Sequence, residues 1–120
     1  MKARDIMIGD WVRTEAGELI VAGISQKIYC RDDSGNPTHI WEVTTIEPIP
    51  LTDEILLKNG FKPQGTGWIL EDSVGERIFN LCRISNAYCL LTAGMTLAFQ
   101  HVHELQHLFR IAGMTREIKL

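Results

Sequence analysis

Two histidines and a glutamate near the end of the chain have the spacing of a zinc-peptidase motif. His103, Glu104 and His107 spell H-E-x-x-H within the stretch QHVHELQHLFRIAG. On a helix the two histidines lie one turn apart, so both rings reach one metal ion, and the glutamate acts as general base toward the metal-bound water. One hypothesis is therefore a zinc-dependent hydrolase with His103 and His107 as ligands and Glu104 as the catalytic base.

The surrounding residues do not complete such a site. A catalytic zinc needs three protein ligands and an open position. The extended peptidase motif would place Gly and His at positions where this chain has Arg110 and Gly113. The remaining candidates are Glu117 downstream and His39 in a distant turn upstream. Because short motifs of this kind often match by chance, we predict no metal, no cofactor and no catalytic residue.

The same stretch has the periodicity of a C-terminal amphipathic helix. One apolar stripe at 100° per residue contains Ala98 if the helix extends that far, Val102, Leu105, Leu108, Phe109 and Ala112. His103 and His107 project almost opposite this stripe, beside Gln100 and Arg110. We interpret HELQH as a solvent-facing helix surface, which becomes a metal site only if another segment covers it and adds ligands.

The composition is typical of a globular domain. The chain has 120 residues, of which 45% are hydrophobic and 22% charged, so it can bury a core without metals or disulfides. Its net charge of -3 gives no basic footprint for nucleic acid, although a local basic patch is left open. No stretch approaches the roughly 18 apolar residues of a membrane helix, and the N-terminus lacks the apolar run of a secretion signal.

Cysteine usage predicts a reducing compartment. The three cysteines are Cys30, Cys82 and Cys89, without a C-x-x-C pair. We therefore expect a cytoplasmic protein that does not associate with membranes.

Residues 1–47 have the pattern of short strands separated by turns. The predicted strands are Trp11–Thr14, 18–24, 27–31 and the THIWEVTTI segment, in which residues 40, 42 and 44 alternate with 41, 43 and 45. The segment DDSGNP is the strongest turn signal in the chain. Four or five short antiparallel strands predict an SH3-like or curled antiparallel sheet.

Residues 48–120 are predicted to form a helix, a meander and a second helix within the same compact domain, giving an α+β fold for 1–120. Pro48 and Pro50 hold an extended connector, after which Thr52 is placed as the N-cap of a short central helix. Asn59-Gly60 followed by an apolar residue resembles a left-handed C-cap.

After KPQGTGW, predicted to be a loop, an antiparallel meander is expected over 68–71, 77–84 and 87–92. If residues 85–86 form a two-residue turn, Ile84 pairs with Ala87, Arg83 with Tyr88, and Cys82 with Cys89. This proximity suggests a disulfide or a thiolate metal site as one interpretation of the cysteines. We interpret them as small apolar side chains on a packed face, because free cysteine is commonly buried.

Both faces of this hairpin are apolar, so both need cover. The C-terminal helix can supply one cover. The N-terminal sheet or a second copy of the chain must supply the other, which leaves a homo-oligomer open.

Trp11 and Trp41 suggest a site of another class. They can form an aromatic groove on the N-terminal sheet, as in peptide-binding or nucleic-acid-binding SH3-like folds, with positive charge from Arg13, Lys27 and Arg31. More often such tryptophans pack in the core, and we favour that interpretation.

Three stretches, IGDWV, EPIPLTDEILLKNGF and HVHELQHLFRIAG, resemble in this order a group of small uncharacterised proteins of gut Bacteroidetes and their phages and mobile elements. The resemblance spans nearly the whole chain. In similar proteins the third stretch reads V-H-x-L-Q-N-L, so Asn stands in place of His107 and Gln in place of Glu104. The matching positions are His103, Leu105, Gln106 and Leu108.

The resemblance implies no activity, speaks against the zinc-ligand pair, and suggests a shared role for His103 and Gln106. We therefore expect a nonenzymatic accessory protein that binds an unknown protein partner, with a phage or mobile-element origin implied by the resemblance. The candidate interaction residues are His103, Gln106, Trp11 and Trp41. The alternatives are the zinc hydrolase and an SH3-like nucleic-acid-binding protein.

Overall fold

The computed structural model describes residues 5–25, 27–41, 46–71, 77–92, 95–114 and 116–120. These residues form two antiparallel sheets and two helices, so the predicted α+β class is confirmed, with sheet predominating. The chain divides into two compact units, the first made of residues 1–50 with 101–113 and the second of 51–100 with 114–120. The C-terminal helix, which we had grouped with the meander, thus belongs with the N-terminal sheet.

The first unit contains a four-stranded sheet whose strands neighbour one another in chain order. They are β1 (Trp11–Thr14), β2 (Gly17–Ile24), β3 (Ile28–Arg31) and β4 (Pro37–Trp41). Gly17 and Gly35 have positive φ angles at the turns that join β1 to β2 and β3 to β4, as the turn composition predicts. The predicted alternation over 42–45 lies outside the described residues.

The strand register separates two faces of this sheet. On the inner face Ile28 is opposite Trp41, and Trp41 packs against the core. The buried members of that core are Ile6, Val12, Leu19, Val21, Ile28, Cys30 and Ile46. On the outer face Trp11 is opposite Ile20, and both are buried.

The second unit consists of a short helix followed by a five-stranded sheet. The helix is α1 (Asp53–Lys58), and the strands in sheet order are β5 (Lys62–Gln64), β6 (Gly67–Glu71), β7 (Arg77–Ile84), β8 (Ala87–Thr92) and β9 (Met95–Phe99). The register predicted for the hairpin at 85–86 is confirmed, including Cys82 opposite Cys89.

One prediction in this unit was wrong. The KPQGTGW segment is not a loop, because residues 62–64 pair with 67–69 around a turn at Gly65. The condition under which Ala98 would belong to the apolar stripe of the C-terminal helix is not met, because Ala98 lies in β9 opposite Cys89.

The caps of α1 confirm the helix boundaries predicted from sequence. The Thr52 hydroxyl accepts a hydrogen bond from the Ile55 amide at 3.3 Å. At the other end the Phe61 amide donates to the Leu56 carbonyl and the Gly60 amide to that of Leu57, which is the Schellman pattern. Gly60 has φ +91°, a conformation that side-chain-bearing residues rarely adopt.

The start of α1 is attached to the β7–β8 hairpin. Arg83 and Tyr88 lie opposite each other, and both donate hydrogen bonds to the Asp53 carboxylate, the Arg83 bonds being 2.8 and 2.9 Å long. Burial, followed by the hydrogen bond to Asp53, raises the pKa of the Tyr88 phenol. The hairpin register therefore decides where α1 can dock.

The second helix, α2 (Val102–Ile111), begins directly after His101. Its buried residues are Val102, His103, Leu105 and Phe109, and the Val102 amide donates to the Ile49 carbonyl. Neither described helix has the length and apolar character needed to cross a membrane.

Candidate functional site

We predicted that the polar side of α2 faces solvent, and this prediction was wrong. The turn formed by residues 7–10 covers that side of the helix. The Gln106 side chain bonds one backbone N–H group and one backbone carbonyl group. Its Oε1 accepts from the Trp11 amide at 2.9 Å, and its Nε2 donates to the Gly9 carbonyl at 3.0 Å. These bonds satisfy backbone groups next to the start of β1. One side chain thus joins α2 to the 7–10 turn.

Asp10 lies at the centre of this contact and its side chain is 0% exposed. Its carboxylate accepts hydrogen bonds from the Met7 amide at 2.8 Å and from His107 Nε2 at 2.8 and 3.0 Å. Arg110 Nη2 lies 3.4 Å from the same carboxylate and donates to the Ile8 carbonyl at 2.9 Å. A buried carboxylate is tolerated only with such compensation.

The local sequence explains why the two segments fit. Gln106, His107 and Arg110 are spaced so that they occupy one side of a helix. In the turn, Gly9 has φ +96°, and a Cβ added there would lie 2.8 Å from Arg110 Nη2. A glycine followed by an aspartate therefore gives α2 room to approach and supplies the carboxylate it binds.

His103 is the most enclosed histidine of the motif, with 7% exposure. Its ring stacks on that of His101 at a centroid distance of 5.7 Å and meets the edge of His107 at 5.5 Å. Its Nδ1 is buried without a hydrogen-bond partner among the described residues. Burial lowers the pKa of His103, and the opposing influence of Asp10 and Glu104 is smaller, so the neutral imidazole is favoured.

The residues of the alternative zinc hypothesis make contacts with other side chains. His107 directs Nε2 at Asp10, and Glu104 lies 2.8 Å from His101 Nδ1. Within the described ranges, no group of three His, Cys, Asp or Glu residues is placed to hold a metal ion. The side chain of His39 lies outside the described part. Among the described residues, none adds a third ligand to the His103–His107 pair and the Glu104 base of the hydrolase hypothesis.

Trp11 and Trp41 do not form a shared groove. Because side chains alternate across a strand, the register puts Trp11 on the outer face of the sheet and Trp41 on the inner face. Trp11 is buried, and Trp41 packs against the core of the first unit. The two tryptophans therefore do not line one groove, because they lie on opposite faces of the sheet.

The outer face carries instead an exposed apolar pair that sequence analysis missed. Tyr29 on β3 lies directly opposite Ile40 on β4, and their exposures are 42% and 54%. On the other side Tyr29 is opposite Gly23, where an added Cβ would lie 3.7 Å from the aromatic ring. We call Gly23, Tyr29 and Ile40 the Tyr29–Ile40 patch.

Among the described strands, β4 is the last strand of its sheet. β4 pairs with β3, and none of the other strands that the structure describes pairs with β4. Arg31, the next outward residue of β3, is half-buried and its Nη1 donates to the Asp32 carbonyl. The last described strand of the sheet, an exposed apolar pair and a positioned guanidinium thus lie together on one half of the sheet.

No protein-family model matches this chain, and no curated protein and no solved structure matches it either.

Proposed function

We propose that the first unit binds an extended segment of another protein along the free edge of β4 and over the Tyr29–Ile40 patch. In this proposal the protein is a nonenzymatic binding module. The polar side of α2 holds the 7–10 turn in place and takes no part in chemistry. The observation that supports the proposal is the exposure of a large cross-strand apolar pair on the sheet face.

The chemistry of the patch suggests its ligand. An extended peptide added to a sheet edge gains main-chain hydrogen bonds, and its alternate side chains reach the same face as the neighbouring strand's side chains. Beside Tyr29 and Ile40 those side chains would be apolar, since contact with them removes apolar surface from water. The nearby Arg31 guanidinium favours an acidic residue at the end of the bound segment.

The finer architecture of the sheet is part of the proposal. We propose that β1 to β4 form an SH3-like or curled sheet. Register shifts between Val21 and Gly23 and between Tyr29 and Arg31 support this, because such irregularities increase local twist and bend the bulged strand.

The proposed class of protein also follows the resemblance stated above. The IGDWV and HVHELQHLFRIAG stretches that carry it contain Asp10 and Gln106. These residues join the 7–10 turn to α2. On that resemblance, we propose that the chain is an accessory protein of phage or mobile-element origin.

A displayed library of random peptides tests the proposal without knowledge of the natural partner. The purified full chain is the bait, and enriched peptides are measured individually for binding. We expect sequences with apolar residues at alternate positions, and we expect Ile40→Asp to weaken their binding by about tenfold or more. Ile84→Asp is the matched control, because Ile84 is similarly exposed at 58% but lies in the second unit.

Two outcomes contradict the proposal. In the first, the library yields no peptide that binds the wild type above background, or Ile40→Asp and Ile84→Asp bind the enriched peptides equally well. In the second, sedimentation shows that the wild type self-associates and that Ile40→Asp is monomeric. The patch would then be an interface between copies of this chain and not a site for a foreign segment.

A further inference from the structure

The second unit contains two cysteines placed directly opposite each other. Cys82 on β7 pairs with Cys89 on β8, so both side chains leave the same face of the sheet. Directly opposed residues of antiparallel strands have Cα atoms about 4.5 to 5.5 Å apart. This range lies within the Cα separation of about 4.4 to 6.8 Å found in disulfides.

The surroundings of the pair leave the sulfur atoms free to approach each other. Both cysteines are thiols, Cys82 half-buried and Cys89 buried, and the Cys82 side chain hydrogen-bonds that of Cys89. Their outer neighbours in the same row of the sheet are Gly67 beside Cys82 and Ala98 beside Cys89. Neither neighbour has a side chain long enough to come between the two thiols.

We propose that Cys82 and Cys89 are a redox modification site that forms a reversible intramolecular disulfide by exchange with a low-molecular-weight disulfide such as oxidised glutathione. The Cys82 thiolate attacks one sulfur of the reagent, forming a mixed disulfide and releasing one thiolate. Cys89 loses its proton and attacks the Cys82 sulfur, releasing the second thiolate. The two cysteines are oxidised by two electrons, and one reagent disulfide is reduced to two thiols.

The order of the two steps follows from exposure. Burial raises the pKa of Cys89, and the neighbouring Cys82 raises it further. A raised pKa lowers the fraction of thiolate, so Cys89 attacks a reagent dissolved in the solvent poorly. Cys82 is the more accessible thiol and meets the reagent first. Cys89 then needs no access to solvent, because its target is the sulfur opposite it.

The sheet makes this disulfide easy to reduce. Opposed Cβ atoms in a sheet are about 4.5 to 5.5 Å apart, whereas disulfides hold them at about 3.5 to 4.5 Å. The strands must therefore contract locally, and strained disulfides are the more readily reduced ones. The adjacent pair, Arg83 and Tyr88, holds Asp53 of α1, so oxidation acts next to the docking point of that helix.

Peptide mapping of the wild-type chain tests the proposal directly. The protein is equilibrated in glutathione buffers of increasing oxidised fraction, alkylated without reduction, and digested with trypsin. Cleavage after Arg83 separates Cys82, in peptide 78–83, from Cys89, in peptide 84–110, and Cys30 lies in peptide 28–31. The three cysteines therefore report independently.

We expect the linked pair of peptides 78–83 and 84–110 to accumulate as the oxidised fraction rises and to disappear on addition of dithiothreitol. Cys30→Ser should not change this behaviour. Cys82→Ser and Cys89→Ser should lose the linked pair. The proposal is overturned if both cysteines of the wild type carry only separate glutathione adducts or stay alkylated throughout. It is also overturned if the link occurs only between two chains.

Discussion

His103 is a buried imidazole, and its burial makes the stability of the first unit depend on pH. The ionisable groups around it are Asp10, His101, Glu104 and His107. Because desolvation outweighs the two carboxylates, the pKa of His103 is lowered in the folded protein. The unfolded chain takes up a proton near the ordinary value of about 6.5, whereas the folded protein resists protonation. The neutral His103 therefore contributes to the free energy of unfolding above that pH, and this contribution is lost as the pH falls.

We expect His103→Leu to reduce the loss of stability on acidification. Leucine is apolar, so it cannot be protonated and leaves no buried nitrogen unsatisfied. The measurement is the free energy of unfolding in urea at about pH 7.5 and about pH 5.5. The difference between the two pH values should be smaller in the variant than in the wild type. An identical difference in both proteins would mean that His103 does not titrate as its burial requires.

At the scale of elements, α1 depends on its N-cap. The Thr52 hydroxyl satisfies the Ile55 amide, one of the donors left without a partner in the first turn of the helix. We expect Thr52→Ala to lower the free energy of unfolding by about 1 kcal/mol. Thr52→Ser keeps the hydroxyl and should cost less. Equal losses in urea unfolding for both variants would show that the methyl group, not the cap, contributes the stability.

The elements that sequence analysis located have strong local signals. The caps of α1 and the two-residue turn at Ser85 and Asn86 each need only neighbouring residues to be recognised. The missed strands lack such signals. In β5, Pro63 and the surrounding turn residues indicate a loop, although an edge strand tolerates proline. Strand β9 ends just before α2, so Ala98 continued the helical periodicity by coincidence.

At the scale of the whole chain, the role of α2 depends on contacts that no local pattern reveals. Gln106 and His107 bind residues 95 to 97 positions earlier, and Arg110 binds one 102 positions earlier. Helical periodicity correctly identifies Val102, Leu105 and Phe109 as buried residues of the apolar stripe. It cannot say that the 7–10 turn covers the polar side, because that depends on tertiary packing. The same limit hid the exposed Tyr29–Ile40 patch.

We propose that the polar side of α2 stabilises the first unit through the hydrogen bonds of His107 to Asp10 and takes no part in metal binding. His107→Ala leaves the buried Asp10 carboxylate with one donor fewer, which should cost about 1 to 3 kcal/mol. His107→Gln is the matched control, since its amide nitrogen lies near the position of Nε2, can donate to the same carboxylate, and should cost less. Both variants are compared with the wild type in urea unfolding, with and without added zinc.

The most direct measurement is the effect of zinc on the wild-type midpoint, because any ligand that binds only the folded state raises its stability. We predict that zinc leaves the wild-type midpoint unchanged while His107→Ala lowers it in both conditions. A rise in the wild-type midpoint with zinc that disappears in both His107 variants would show that His107 binds the metal ion and would support the zinc-hydrolase hypothesis.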